Sequence, residues 1–245
     1  MLGSVDSCVL AGLQVRPIHV EADIGAGEVK FSVVGLATTM VKEARERVKS
    51  AIRNSGLEFP GRSLTVNLAP AELRKSGSGL DLPIAVAIAL ARAHRPAPER
   101  TAFLGELSLD GAVRHVDGVL VAARGLRDLG YERVFVPVED AAEAALVDGL
   151  EVIPCASLLS TVQHLLGAEA ITPATHGALP AHAPGDVLDH DLREVHGQEE
   201  AKRALEVAAA GGHHLLMTGP PGAGKTMLAR CLPGILPPLE LAEAL

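Results

Sequence analysis

Apolar and polar positions alternate near the start of the chain. Val15–Ala22 and Lys30–Val34 are rich in β-branched residues and separated by Gly25 and Gly27, which predicts two strands. The period then changes. Val41, Ala44, Val48, Ala51 and Ile52 share one helical face, which predicts a helix over Thr39–Asn54, stopped by Asn54-Ser55-Gly56. Ser63–Leu68 alternates again as a strand. Leu80–Arg92 reads as an apolar helix entered through a capping turn at Gly77-Ser78-Gly79. Ala102–Leu107 and Arg114–Val116 flank Asp110-Gly111, a hairpin turn signal. Beyond it the pattern predicts a helix at Val119–Leu129, a strand at Arg133–Val138, a helix at Ala141–Val147, a strand at Glu151–Pro154 and a helix at Ser157–Leu166. Strands and helices in this mixture predict an α/β protein.

Periodicity lapses after Gly167. Residues 168–188 hold Pro173, Pro180, Pro184, Gly177 and Gly185, and read as a flexible linker, with an ordered loop packed on a domain as the alternative. Pattern returns at Asp189: a helix over Gln198–Ala210, a buried-type strand over His213–Thr218, a glycine-rich loop over Gly219–Thr226, and a helix starting at Lys225. The expected organisation is therefore a domain at 1–167, a linker at 168–188 and a second unit at 189–245.

Composition narrows the class. Hydrophobic residues make up 48% and aromatics 2%, so the core must be aliphatic, which suits α/β layers better than an aromatic-rich sandwich. A net charge of −8 rules out nucleic-acid binding through bulk charge and would require a local basic patch. Cys8, Cys155 and Cys231 are scattered and show no metal-ligand spacing, the pattern of reduced thiols in a cytoplasmic protein. The longest apolar stretch, near Leu82–Ala91, is too short to span a bilayer, and no signal peptide or membrane association is expected.

The chemistry concentrates at Gly219-Pro220-Pro221-Gly222-Ala223-Gly224-Lys225-Thr226, a complete GxxxxGK[ST] motif. Glycines let backbone N–H groups turn inward around phosphate oxygens, and the helix start adds positive potential. Lys225 can reach the β- and γ-phosphates, and the Thr226 hydroxyl can ligate the Mg²⁺ that accompanies a nucleotide. ATP and Mg²⁺ are the expected ligands.

The motif sits in a longer resemblance. Asp191-Leu-Arg-Glu-Val-His-Gly197-Gln198 and the helix after it, followed by Leu215-Leu-Met-Thr and the glycine loop, resemble the opening of the Mg-chelatase-like AAA+ module. Val33-Val-Gly-Leu, the run from Val41 to Gly56, Thr65-Val-Asn-Leu-Ala-Pro and Asp81-Leu-Pro-Ile-Ala resemble the N-terminal domain of the ComM/YifB branch of that family. The resemblance covers nearly the whole chain. It implies an α+β N-terminal domain similar to the Lon protease catalytic fold, an incomplete P-loop segment after it, an adenine-side role for Val195, His196 and Gly197, and, at full length, a homo-hexamer that drives DNA branch migration. Gly105-Glu-Leu-Ser-Leu-Asp-Gly is also similar to the corresponding Lon and RadA stretch. A Mg-chelatase-type ATPase subunit and an inactive truncated product are the alternatives.

Two further readings follow. Lon-type proteolysis needs a serine and a lysine base; Ser76 and Ser78 fall in the right neighbourhood, but Leu120 stands where the lysine would be, so a non-proteolytic domain is expected. Only 19 residues follow Thr226, with no acidic strand and no arginine finger among them, so no catalytic residue for hydrolysis is assigned and a truncated chain without turnover is expected. Val134–Asp140 resembles such an acidic strand but lies upstream and is broken by Pro137. Lastly, Lys42, Arg45, Lys49 and Arg53 recur on one helical face, with Arg74 and Lys75 following in the sequence. The face reads as solvated and balanced by Glu43 and Glu46, as a DNA contact, or as a subunit interface.

Overall fold

A computed structural model describes residues 1–35, 39–73, 79–176 and 190–237, except the side chains of residues 39–42. It divides into two compact units, Met1–Gly177 and Ala178–Leu245.

The first unit is built on a long hairpin. Strand β1 (Leu2–Ala11) runs antiparallel to β2 (Gln14–Ile24) through a two-residue turn, with Val5 opposite Val20. Strand β4 (Leu64–Ala69) adds antiparallel to β2, and the short β3 (Phe31–Val34) adds parallel to β4. On the other side, β5 (Thr101–Phe103), β8 (Arg133–Pro137) and β9 (Glu151–Cys155) follow in parallel. The sheet order is β3-β4-β2-β1-β5-β8-β9, four of its six pairings being parallel. A separate two-stranded hairpin joins β6 (Glu106–Leu107) to β7 (Val113–Arg114). The fold is α/β.

Helices cover both faces. On one, α2 (Asp81–Ala93) lies across β1 and β2 and packs against α1 (Thr39–Asn54) and α5 (Leu158–Leu166). Its residues from Asp81 to Ile88 are all buried, so helical amphipathicity is nearly absent, as expected of a central helix. The close approach of α2 to β1 is permitted by Gly3, where a Cβ would stand 2.4 Å from the Ala87 carbonyl oxygen. On the other face, α3 (Val119–Asp128) and the short α4 (Ala141–Ala144) cover β1, β5, β8 and β9. The predicted apolar face of α1 is buried at Ala44, Val48, Ala51 and Ile52.

Several expectations need correction. Strand β1 carries no clear alternation and was not expected. Ala102–Leu107 is not one strand: it splits at Leu104-Gly105 into β5, in the large sheet, and β6, in the hairpin. The cap position of α2 is Leu80, without a side-chain cap. Gly79 instead contributes its carbonyl, which accepts from Gly105 N at 3.1 Å. Ser157, by contrast, closes a full capping box with Ser160 at the start of α5.

One pairing fixes the core beneath α2. The Asp81 carboxylate, fully buried, accepts from Arg47 Nε at 2.8 Å and Nη2 at 3.2 Å, and from Leu107 N at 3.3 Å. It ties α1, α2 and β6 together. Burial pushes this carboxyl above the ordinary range despite the guanidinium, which opposes the shift. The hydrogen bond to Asp81 in turn raises Arg47.

The two outer strands of the sheet are treated differently. Residues 168–176, the first part of the stretch read as linker, lie against unit 1: Ala174 N donates to Val152 O of β9 at 2.8 Å, and Ile171 N donates to His164 Nδ1 at 2.9 Å. No described segment covers β3 in this way. Residues 177–189 lie outside the described residues.

The second unit is small. Helices α6 (Glu199–Gly211) and α7 (Lys225–Cys231) pack through Val195, Leu205, Leu228 and Cys231, joined by half-buried Leu192, Ala201, Met217, Leu232 and Ile235.

Candidate functional site

The glycine-rich loop connects residues 213–218 to α7. Gly222 and Gly224 adopt φ of 81° and 80°, the left-handed region that residues with a Cβ enter only with strain. Nothing lies within 4 Å of a Cβ built on Gly222, so the demand there is on the backbone and not on space. Leu228 N donates to Gly224 O at 3.0 Å, the first bond of α7. By helix geometry the N–H groups of Lys225, Thr226 and Met227 then have no intrahelical acceptor.

Lys225 is the first residue of α7. Its Nζ donates to Gly219 O and Pro220 O, both at 2.8 Å, so the ammonium folds back over the loop. Pro220 and Pro221 stiffen the exposed side of the turn, and the half-buried Ala223 donates its N–H to Pro220 O at 3.4 Å. Thr226 is exposed one residue into the helix. Glycines holding the turn, amides at a helix start without intrahelical acceptors, and a lysine over the loop are donors of the kind a polyphosphate accepts from. The residues present therefore fit a nucleoside triphosphate with its Mg²⁺.

The turn at 191–198 is anchored beside the same core. Asp191 Oδ1 accepts from Arg193 N at 2.9 Å and caps a 3-10 turn, Leu192–Glu194. Val195 is buried at 2% with Leu228 of α7, while His196 and Gly197 are exposed. Val195 and the helix that carries Lys225 thus share one small core. Gly197 (φ 68°) and Gln198 (φ 58°) turn the chain into α6.

The expected strand over His213–Thr218 is not formed. Among the described residues no strand pairs with this segment, and Leu216, expected to be buried, is 88% exposed. A parallel strand exists only through its neighbours, and its apolar run is covered only when helices close both faces of the sheet. The segment is therefore legible as a strand in sequence and unpaired in space. An open groove of about 710 Å³ lies between it and α6, lined by Val207, His213 and Leu215 among others.

Other sequence-derived candidates fare differently. Ser76, Ser78, Arg74 and Lys75 lie outside the described residues, as does the Lys42 side chain. Leu120 sits in the first turn of α3, half-buried against the core on that face, and offers no proton acceptor. Of the basic stripe, Arg45 is engaged by Glu46 at 3.0 Å and by Phe31 O at 3.4 Å, Arg53 lies 5.6 Å from the Phe59 ring centroid, and Lys49 is without an ionic partner among the described residues.

Besides the Arg47–Asp81 pair, sequence reasoning missed a second polar constellation. Asp140, from the acidic look-alike run, is buried and binds His115 Nδ1 through Oδ1 and Val116 N at 3.0 Å through Oδ2. That hydrogen bond, more than the charge behind it, raises the His115 pKa. The two residues are 25 positions apart, and no spacing rule links them. Among the described residues there is no cluster of three or more His, Cys, Asp or Glu able to hold a metal, and no helix long and apolar enough to cross a membrane.

Comparison with known proteins adds kinship. Residues 20–140 match the family model described as subunit ChlI of Mg-chelatase, and residues 191–245 match that of magnesium chelatase, subunit ChlI. The chain is 44% identical over 246 residues to the uncharacterized protein YifB of Salmonella typhimurium, 42% identical over 248 residues to an uncharacterized protein of Mycobacterium tuberculosis, and 39% identical over 250 residues to the competence protein ComM of Haemophilus influenzae. Each alignment takes in 100% of this chain and 48% of the relative, so the chain spans about half the length of these curated relatives. With both of its ends matched by chelatase-type models and its whole length aligned to these proteins, the chain belongs to the ComM/YifB, Mg-chelatase-like family.

Proposed function

We propose that this chain binds ATP with Mg²⁺ through the loop Gly219–Thr226, as the nucleotide-gripping part of an AAA+ ATPase. The observation that carries this reading is the Lys225 ammonium resting on the Gly219 and Pro220 carbonyls above unspent amides of α7. A triphosphate brings stronger acceptors for the same ammonium and amides, so binding exchanges neutral contacts for charge-assisted ones. In this reading Thr226 assists Mg²⁺, and the exposed turn at His196 and Gly197, next to buried Val195, serves the adenine side. ATP supplies the phosphoanhydride; these residues supply grip and orientation only.

At full length the reading extends to a cytoplasmic homo-hexamer that remodels DNA by branch migration. Its support is kinship with a protein named for competence. A chelatase-type ATPase subunit is the alternative that the family models' descriptions suggest.

Titration of the 245-residue chain with a fluorescent ATP analogue and Mg²⁺ tests the core of the proposal. Saturable binding is expected, with Lys225→Ala weakening it by roughly 10- to 100-fold, the loss of a charge-assisted contact worth about 1.5–3 kcal/mol. Binding that ignores Lys225→Ala would overturn the site assignment.

A further inference from the structure

Among the described residues nothing pairs with the outer edge of β3, and it lies in a basic groove. In the parallel ladder with β4, Leu64 N donates to Lys30 O at 2.8 Å. That bond sets the phase of the strand: Ser32 and Val34 direct their backbone groups toward β4, and Phe31 and Val33 direct theirs away from the sheet. Among the described residues the outward contact is a single one, from Arg45 Nη1 to Phe31 O at 3.4 Å. The N–H and C=O of Val33 have no partner there. The opposite edge, at β9, is engaged by residues 168–176, so the two ends of the sheet are not equivalent.

A groove of about 570 Å³ runs along this edge, between β3 and α1, lined by Lys30, Phe31, Val33, Arg45, Glu46 and Lys49. Lys30 is exposed, Lys49 is half-buried, and neither has a carboxylate within ion-pair distance among the described residues. Val29 and Val34, 69% and 45% exposed, flank the strand. In a chain of net charge −8 this is a local surplus of positive charge beside unpaired strand backbone and bare valine.

We propose that β3 is a docking edge for an extended, acidic polypeptide segment of a partner, which adds to the sheet as an eighth strand. The backbone groups of Phe31 and Val33 supply the ladder bonds. Lys30, Lys49 and the displaced Arg45 pair with carboxylates on alternate residues of the guest. Val34 is covered by a guest side chain. The unmet hydrogen-bonding row favours a polypeptide over a nucleic acid, which presents phosphates but no matching ladder. The inference goes beyond the nucleotide reading and does not depend on it.

The test uses the whole 245-residue chain and a fluorescein-labelled peptide of alternating glutamate and valine. Its controls are the same peptide with lysine for glutamate and a single-stranded oligothymidylate of equal charge. Anisotropy should show salt-sensitive binding of the glutamate peptide alone. Val33→Pro removes the outward donor, and an edge strand tolerates proline where its N–H faces away from the sheet. This variant, and separately Lys30→Glu with Lys49→Glu, should weaken binding by about tenfold or more while the first unit still unfolds cooperatively, the lysine variant with an unchanged midpoint. Absence of binding, binding indifferent to Val33→Pro, or equal binding of the oligothymidylate would each overturn the proposal, the last marking a general polyanion surface.

Discussion

Replacing Arg47 with methionine should destabilise the first unit more than any other single change to its polar groups. The substitution keeps the aliphatic stem and removes two of the three hydrogen bonds to Asp81, leaving the 3.3 Å bond from Leu107 N. Asp81 is fully buried, so water cannot replace the lost partners. Stranding a buried charge in this way costs about 3–5 kcal/mol. Changing Asp81 to asparagine in the same chain removes the charge and retains an acceptor for Leu107 N, so the double variant should recover roughly 2 kcal/mol of the loss. Tyr131 is the sole tyrosine, tryptophan is absent, and Tyr131 lies in the first unit, so its fluorescence during urea unfolding reports that unit by itself. With a slope of about 2 kcal/mol per molar urea, the single variant should lose roughly 2 M in midpoint. The effect has a defined pH dependence. Asp81 already titrates above its unfolded value, and losing Arg47 moves it further upward. A raised carboxyl takes up a proton on folding, so its stability contribution is full below the unfolded value, about 3.9, and is lost as pH rises through the folded one. The penalty of Arg47→Met is therefore largest at neutral pH and shrinks in acid. A midpoint within about 0.5 M of the parent, or a double variant no better than the single, would refute the reasoning.

Other expectations can be checked separately. Gly3→Ala, which drives a methyl into the Ala87 carbonyl at 2.4 Å, should cost about 1–3 kcal/mol in the same unfolding assay. Ser157→Ala, which opens the capping box of α5, should cost about 1 kcal/mol. His115 should titrate above an ordinary histidine by NMR and fall back in Asp140→Asn; the stability it adds is complete below about pH 6.5 and lost as pH rises through its folded value. Cys8 and Cys155, pushed up to about 12 by burial, should resist thiol reagents at neutral pH until the first unit unfolds.

Legibility followed chemistry that acts locally. Helix α1 and strands β2 and β4 were readable because one face of each is buried and the other wet, so the period survives in sequence. Strand β1 was not, since Gly3, Ser4, Asp6 and Ser7 break its alternation and Ser7 is buried despite its hydroxyl. The split at Gly105 was hidden because Leu104 and Leu107 are both buried, in different layers, by contacts from outside the segment. The turn of the glycine loop was legible, because the positive φ at Gly222 and Gly224 is demanded within eight positions. What surrounds it was less so: Leu215 and Leu216 carry a strand's apolar signature, but pairing depends on neighbours that a local pattern does not contain. The Arg47–Asp81 and His115–Asp140 pairs are fixed by tertiary packing and leave no spacing to find, although a lone acid opening an apolar helix at Asp81 was a usable hint.

The unequal ends of the large sheet limit how copies of this molecule can associate. Head-to-tail growth into fibres requires two complementary free borders, so that each newcomer leaves one for the next. Here one border, at β9, is met by the Ala174 N–H, and the other is the four-residue β3. Among the described residues of the first unit, strand-to-strand association is therefore favoured between two β3 edges about a two-fold axis, a union that uses up the edge that made it.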